Sequence, residues 1–177
     1  MSNWNRVFKP IVVLCAICVV ITGALAATNA ATAPVIAKAK AEAERLARTE
    51  LLPEADDFTP VAGIDVENVT DVYAARNGTG YVITSTSKGY GGTITVMSAF
   101  TPEGQIKQIK VTEAQETPGF GSKVTATPSY WERYMNQDAG KALVLNQDVD
   151  AETGATISSK ALLRAVNSAI EAYNAIP

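Results

Sequence analysis

An uncharged, apolar stretch near the N-terminus limits what this chain can become. No charged residue occurs between Lys9 and Lys38, and residues 11–27 are almost wholly apolar. A helix needs roughly 20 apolar residues to cross the hydrocarbon core of a bilayer. Together with a little of its flank this stretch reaches that length, so the sequence predicts a retained transmembrane helix over residues 10–28.

A cleaved signal peptide is the competing interpretation of the same stretch. Arg6 and Lys9 would form its basic region, and the small residues at 24–33 would offer cleavage sites. The apolar run is longer than the roughly 7–15 residues that are usual for a signal-peptide core. The length therefore favours an anchor that stays in the protein.

The charges that flank the span predict its orientation. Arg6 and Lys9 abut it, whereas residues 28–37 are uncharged and the basic residues on that side begin only at Lys38. Basic residues next to a span favour the cytoplasmic side. We therefore expect residues 1–9 in the cytoplasm and all that follows the span outside it, although more basic residues lie within reach on the distal side.

Beyond the span the sequence predicts a helical stalk and then one domain. Residues 29–53 are rich in helix formers and end at Pro53, which indicates a stalk. Residues 54–177 have the length of a single domain. The predicted fold class is α+β, an antiparallel sheet with packed helices, preceded by one N-terminal transmembrane helix. Short β-rich runs separated by turn residues predict its strands, at 69–75, 80–87, 93–100 and 106–111.

Composition excludes several kinds of chemistry. The chain has no histidine, so catalytic triads and metal sites that require histidine are ruled out. Cys15 and Cys18 both fall in the apolar stretch, where cysteine behaves as a small hydrophobic residue. No carboxylate pair is spaced for acid–base catalysis, so no catalytic residue and no metal site is predicted. Beyond Lys9, 13 basic face 18 acidic side chains, which argues against a nucleic-acid partner.

Residues 150–156 place a hydroxyl group at the predicted start of a helix. Thr156 follows small residues and precedes a run with one apolar face. A threonine in this place is, by itself, most often an N-cap. A phosphate held there would also meet unpaired backbone N–H groups and the positive end of a helix dipole.

Two further segments suit a ligand as well as a simple connection. Pro118 and Gly119 predict a type II turn over residues 117–120, which would leave backbone polar groups exposed beside a flat ring. The glycine-rich stretch 90–92 predicts a hairpin turn rather than a phosphate loop, because no helix follows it. The aromatic segment 130–134 is interpreted as a packed short helix.

Two of these segments match sequence motifs of one protein family. Asp150, Thr153, Gly154, Ala155 and Thr156 fill every specified position of the pattern Asp-x-x-Ser/Thr-Gly-Ala-Thr/Ser, whose last hydroxyl carries FMN through a phosphodiester bond. Residues 116–121 resemble the loop Glu-Thr-Pro-Gly-Leu-Gly of the same FMN-binding domain family, with phenylalanine in place of leucine. Behind one membrane segment, the chain resembles G subunits of Rnf-type electron-transport complexes and, more distantly, C subunits of sodium-pumping quinone reductases.

The resemblance implies a cofactor, a site and partners. It implies FMN bound covalently to Thr156 by a flavin transferase that uses FAD, and a stretch at 88–90 near the flavin. The cofactor-binding residues it implies outside the 150–156 motif are Glu116, Thr117, Pro118, Gly119, Phe120, Gly121, Lys88 and Tyr90. The chain would be a redox subunit of a translocase, without catalysis of its own, in a complex that couples ferredoxin:NAD electron transfer to Na⁺ or H⁺ transport.

Two alternatives remain open at the level of the sequence. The first is a stand-alone extracytoplasmic flavoprotein that carries electrons to a terminal reductase. The second is an anchored assembly module without redox chemistry, in which Thr156 only caps a helix.

Overall fold

The computed structural model describes residues 8–177, and the chain divides into two compact units, Met1–Ala43 and Glu44–Pro177. Helix α1 spans Lys9–Leu51 and contains Pro34. Among the described residues it is the one helix that is long and apolar enough to cross a membrane, judged by length and composition. The predicted membrane-span candidate is therefore present, and Cys15 and Cys18 lie exposed on it.

The second unit is built on a five-stranded antiparallel meander. The strand order is the order in sequence, and every neighbouring pair is antiparallel. The strands are β1 Phe58–Pro60, β2 Val69–Ala75, β3 Tyr81–Lys88, β4 Thr93–Phe100 and β5 Ile106–Glu113. The four predicted strands are confirmed within two residues at each end, and the α+β fold class is confirmed. The short edge strand β1 was not predicted, because three residues are too few for an alternating pattern.

One face of the sheet packs against the C-terminal helix α4, Thr156–Asn174. Its apolar side chains lie three or four residues apart and bury against β2, β3 and β4. The buried hydroxyl of Ser85 donates a hydrogen bond to the carbonyl of Ala165 (2.7 Å), which fixes the helix along the sheet. The principal core residues of this face are Ile83, Ile94, Val96, Phe100, Ile109, Leu162, Val166, Ala169 and Ile170.

The opposite face of the sheet packs against the end of α1. Leu51 and Leu52 are fully buried against Val82 and Met97. Two ion pairs support this packing, Lys110 with Glu50 and Lys107 with Glu54. The compact unit thus starts at Glu44, before the boundary at residue 54 that the sequence predicts. Leu51 and Leu52 belong to the core of the domain, but they could not be recognised as core residues because they follow a long run of helix-forming residues.

Short helical segments connect β5 to the C-terminal part of the chain. Helices α2 and α3 span Ser122–Thr125 and Pro128–Trp131, and a 3-10 turn spans Glu132–Tyr134. Tyr130 and Tyr134 are buried, and burial raises the pKa of the Tyr134 hydroxyl above its usual range. The interpretation of this aromatic segment as packed short helix is confirmed.

Candidate functional site

Residues 117–120 form a type II turn at the end of the loop that follows β5. The N–H of Phe120 donates to the carbonyl of Thr117 (3.2 Å), and Gly119 has a φ of +79°. The third position of a type II turn requires such a φ, which glycine adopts without strain. The N–H of Gly119 also donates to Ser122 Oγ (2.9 Å). The predicted turn is confirmed, and its hydrogen bonds fix the loop that carries Phe120.

A second turn of the same kind lies in the Asp150–Thr156 motif. The N–H of Ala155 donates to the carbonyl of Glu152 (3.0 Å), and Gly154 has a φ of +81°. The turn buries Ala155 and lets α4 begin at the next residue. The N–H of Glu152 donates to Ser159 Oγ (3.0 Å), which ties the turn to the helix. Glycine is therefore needed at position 154 because it adopts a positive φ without strain, and its small size is a second advantage.

Thr156 is the first residue of α4, and its side chain is exposed. The N-cap position belongs to Ala155, and within residues 8–177 no side chain caps this helix. The interpretation of Thr156 as an N-cap is therefore wrong. The first helical hydrogen bond runs from the backbone N–H of Ser159 to the carbonyl of Ala155 (2.9 Å). The backbone N–H groups of residues 156–158 therefore have no acceptor within the helix.

The two turns and the hairpin loop between β3 and β4 border one cavity of about 550 Å³. Ligand pockets in proteins usually have volumes of roughly 300–1,000 Å³. Three large side chains at the cavity are exposed, Tyr90 by 71%, Phe120 by 61% and Ile157 by 54%. Exposed apolar groups gathered at one concave site are typical of a surface that a ligand or partner covers. The lining residues are Tyr90, Glu116, Thr117, Phe120, Gly121, Gly154, Ala155, Thr156, Ile157 and Ser158.

Most of the predicted site residues meet at this cavity, but five of them do not line it. Pro118, Gly119 and Thr153 shape the two turns. Lys88 contributes its backbone: its carbonyl accepts a hydrogen bond from Arg164 Nη2 (2.8 Å), which ties the end of β3 to α4. These four residues therefore contribute to the cavity through the conformation of the backbone.

Asp150, the fifth residue, acts in the fold through its backbone as well. Its carbonyl accepts hydrogen bonds from the Tyr130 hydroxyl (3.0 Å) and from Arg133 Nη1 (3.1 Å). Arg133 also pairs with Glu152 Oε2 (3.2 Å). The Asp150 side chain is exposed, so its role in the FMN-modification motif stays a prediction.

The segment that leads into the motif is fixed by Asp148. Its carboxylate accepts hydrogen bonds from the N–H of Val144 (2.8 Å) and from Lys141 Nζ (3.2 Å). These bonds, the backbone one first, lower the pKa of Asp148. These hydrogen bonds hold the segment 141–148, which leads to the motif and to the start of α4.

Two lining residues, Ile157 and Ser158, were missed at the level of the sequence. Ser158 Oγ donates to Glu116 Oε2 (2.9 Å), which joins the loop 116–121 to the first turn of α4. No helical or strand period relates residues 116 and 158, so only the tertiary fold reveals this contact.

The residues at the cavity fit FMN. The exposed Thr156 hydroxyl and the free N–H groups of the first turn of α4 suit a phosphoryl group, which the helix dipole also favours. Tyr90, Phe120 and Ile157 offer the flat or aliphatic surfaces that a ring system covers. No lysine or arginine is among the residues described at this cavity, so the helix terminus would be the main partner of the phosphate.

Comparisons with known proteins identify the family of the chain. The family model of the FMN-binding domain matches residues 89–171, a range that contains all the residues that line the cavity. The G subunit of the Na⁺-translocating ferredoxin:NAD⁺ oxidoreductase complex of Acetobacterium woodii is 32% identical, over 97% of this chain and 93% of the relative. The G subunit of the ion-translocating oxidoreductase complex of Methanosarcina acetivorans is 32% identical, over 99% of this chain and 98% of the relative.

A solved structure extends the comparison to the fold. NqrC of Shewanella oneidensis matches with a TM-score of 0.50 and 22% identity, over 71% of this chain and 74% of that one. At this identity the match shows the shared fold. The sequence relatives are matched over nearly their whole length at 32% identity. The chain therefore belongs to the FMN-binding domain family, within the group of G subunits of ion-translocating oxidoreductase complexes.

Proposed function

We propose that this chain is the membrane-anchored G subunit of a complex that couples ferredoxin:NAD⁺ electron transfer to the transport of Na⁺ or H⁺, and that it carries covalent FMN on Thr156 as an electron relay. The kind of complex is inferred from the names of the relatives, which are subunits of Na⁺- and proton-translocating ferredoxin:NAD⁺ oxidoreductase complexes. Their match over most of the chain favours a subunit of such a complex over a stand-alone carrier or an assembly module.

One observation carries the proposal: two motifs distant in sequence meet at a single cavity. Glu116, Thr117, Phe120 and Gly121 line it together with residues 154–156, and the exposed Thr156 side chain does not cap its helix. A hydroxyl that has no capping role and faces a ligand-sized cavity is free for chemical modification.

The attachment step needs FAD and a separate transferase. Thr156 Oγ1 forms a bond to the phosphorus of the FMN half of FAD, the bond between the two phosphates breaks, AMP leaves and the hydroxyl proton is released. This transfer needs a base, and usually a metal, because a threonine hydroxyl is a weak nucleophile. No group of three or more His, Cys, Asp or Glu side chains that could hold a metal occurs in residues 8–177, so the transferase would supply the metal.

The domain then holds the cofactor at two places. Thr156 and the N–H groups of the first turn of α4 would hold the phosphate end. Tyr90, Phe120 and Ile157 would pack against the ring and shield it from water. When bound, FMN supplies reversible one- and two-electron redox chemistry, which the side chains of this protein lack. The site residues position it and set the polarity around it.

The decisive test of the function uses the organism that encodes the chain. Deleting the gene should remove ferredoxin-dependent NAD⁺ reduction from its membranes, together with a band that stays fluorescent in a denaturing gel. The parent gene should restore both, and Thr156→Val should restore neither. Full activity with Thr156→Val would show that electrons do not pass through this site.

We also propose a single-pass topology with the N-terminus in the cytoplasm. In a background where Cys15 and Cys18 are replaced by serine, Glu103→Cys in an exposed turn should react with a membrane-impermeant maleimide on spheroplasts. Ser2→Cys should react only after lysis, because residues 1–9 carry the basic flank. The opposite labelling pattern would reverse the orientation, and a mature N-terminus within residues 27–33 would replace the anchor by a signal peptide.

A further inference from the structure

The carboxylate of Glu116 lies where three segments around the cavity meet. Its Oε1 accepts a hydrogen bond from the N–H of Tyr90 (2.8 Å) and a longer one from the N–H of Gly91 (3.4 Å). Its Oε2 accepts from Ser158 Oγ (2.9 Å). One side chain therefore joins the hairpin loop 89–92 to the first turn of α4, while its own backbone begins the loop 116–121.

Two glycines make room for this carboxylate. A Cβ atom at Gly89 would lie 2.1 Å from Glu116 Oε1, and a Cβ atom at Gly121 would lie 2.2 Å from Glu116 Oε2. Neither glycine is among those with a positive φ, so backbone conformation does not require them. Close packing around Glu116 does, since any side chain at either position would displace the carboxylate.

We propose that Glu116 is a positioning residue that latches the hairpin loop to α4 and so fixes the walls of the cavity. The contacts favour a positioning role over a direct role as a ligand, because both carboxylate oxygens already accept hydrogen bonds from protein donors. The latch keeps Tyr90 on one wall while Phe120 and Ile157 hold the others. That it positions a flavin ring rests on the proposed function, whereas the latch itself does not.

The chemistry of the three contacts separates two substitutions. Glu116→Ala leaves the N–H groups of the hairpin loop and the Ser158 hydroxyl without their acceptor. Glu116→Gln keeps an amide oxygen for the loop and an amide NH₂ that donates to the Ser158 oxygen, since a hydroxyl also accepts. Glutamine should therefore rescue the latch although it removes the charge.

Hydrogen exchange of the full chain, made without a transferase and free of flavin, tests the latch. Peptides that cover residues 89–92 should exchange roughly tenfold to a hundredfold faster in Glu116→Ala, because charge-assisted hydrogen bonds are lost. Glu116→Gln should stay close to the parent, and Ser158→Ala should fall between them. Glu132→Ala, which removes an exposed carboxylate outside the cavity, is the matched control. Unchanged exchange in Glu116→Ala would overturn the latch whatever the flavin does.

The flavin-loaded chain tests the positioning role. Glu116→Ala should keep the covalent bond to Thr156 but lose most of the visible circular dichroism of the flavin, and its midpoint potential should shift. Glu116→Gln should restore the dichroism. A loop that opens without any change in the flavin signal would overturn the positioning role and leave the attachment intact. Absence of flavin on the parent chain would instead overturn the proposed function and the ring part of this inference together.

Discussion

Replacing Thr156 by valine is expected to abolish covalent flavin completely. Valine has the shape of threonine and lacks only the oxygen that would form the phosphodiester bond. The fold should survive, because the Thr156 side chain is exposed and does not cap its helix. Intact mass of the chain produced together with a flavin transferase is the measurement: the parent should carry the mass of FMN less one water, and Thr156→Val should carry none.

Thr117→Val provides the matched control for this loss. It removes another exposed hydroxyl that lines the same cavity, and it should still show the added mass. Peptide mapping should place the modification within residues 150–160. Flavin mass on Thr156→Val, or on a peptide from elsewhere in the chain, would refute the assignment of the attachment site.

The second large effect is expected in the core contributed by the end of α1. Leu51→Ala should lower the free energy of unfolding by about 2–5 kcal/mol, the usual cost of removing a buried leucine side chain. Leu51 is fully buried, whereas Leu46 on the same helix is 55% exposed. Leu46→Ala should therefore change the free energy of unfolding by less than about 0.5 kcal/mol. Urea unfolding followed by circular dichroism measures both.

Fragments extend the same argument to the boundary of the domain. A fragment of residues 44–177 keeps Leu51 and Leu52 and should unfold cooperatively. A fragment of residues 54–177 loses both leucines and exposes the apolar face around Val82 and Met97. Since each buried leucine contributes about 1.5–3 kcal/mol, and a domain is stable by only about 5–15 kcal/mol, the shorter fragment should aggregate. Equal urea midpoints for the two fragments would contradict this packing.

The predictable parts of the fold are those with a local signal. The strands β2 to β5 are rich in β-branched and aromatic residues and are separated by turn residues, and α4 repeats its apolar residues every three or four positions. The role of Leu51 and Leu52 had no such signal, because they follow a run of residues with helical and solvated character. Their burial depends on the opposite face of the sheet, which only the folded chain presents.

The candidate site divides in the same way. The turn at Gly119 could be predicted, because proline and glycine prescribe it locally. The turn at Gly154 escaped notice because only Gly154 signals it, without a preceding proline. The contact between Glu116 and Ser158 joins residues far apart in sequence. It could not be predicted, because nothing about a glutamate or a serine in a sequence indicates which residue it will contact. Conversely, the capping role that residue statistics favour for Thr156 was wrong, since the backbone places Ala155 at that position.

The order of the strands also bears on when the site can exist. Each strand of the meander pairs with the next in sequence, so the sheet closes only short loops as it folds, and short loops cost the least entropy. The cavity instead combines the hairpin loop after β3 with segments near residues 118 and 156. It is complete only once the last helix of the chain has docked on the sheet. A chain whose synthesis or folding stops before that moment lacks one wall of the cavity, so the complete site exists only when the whole domain has folded.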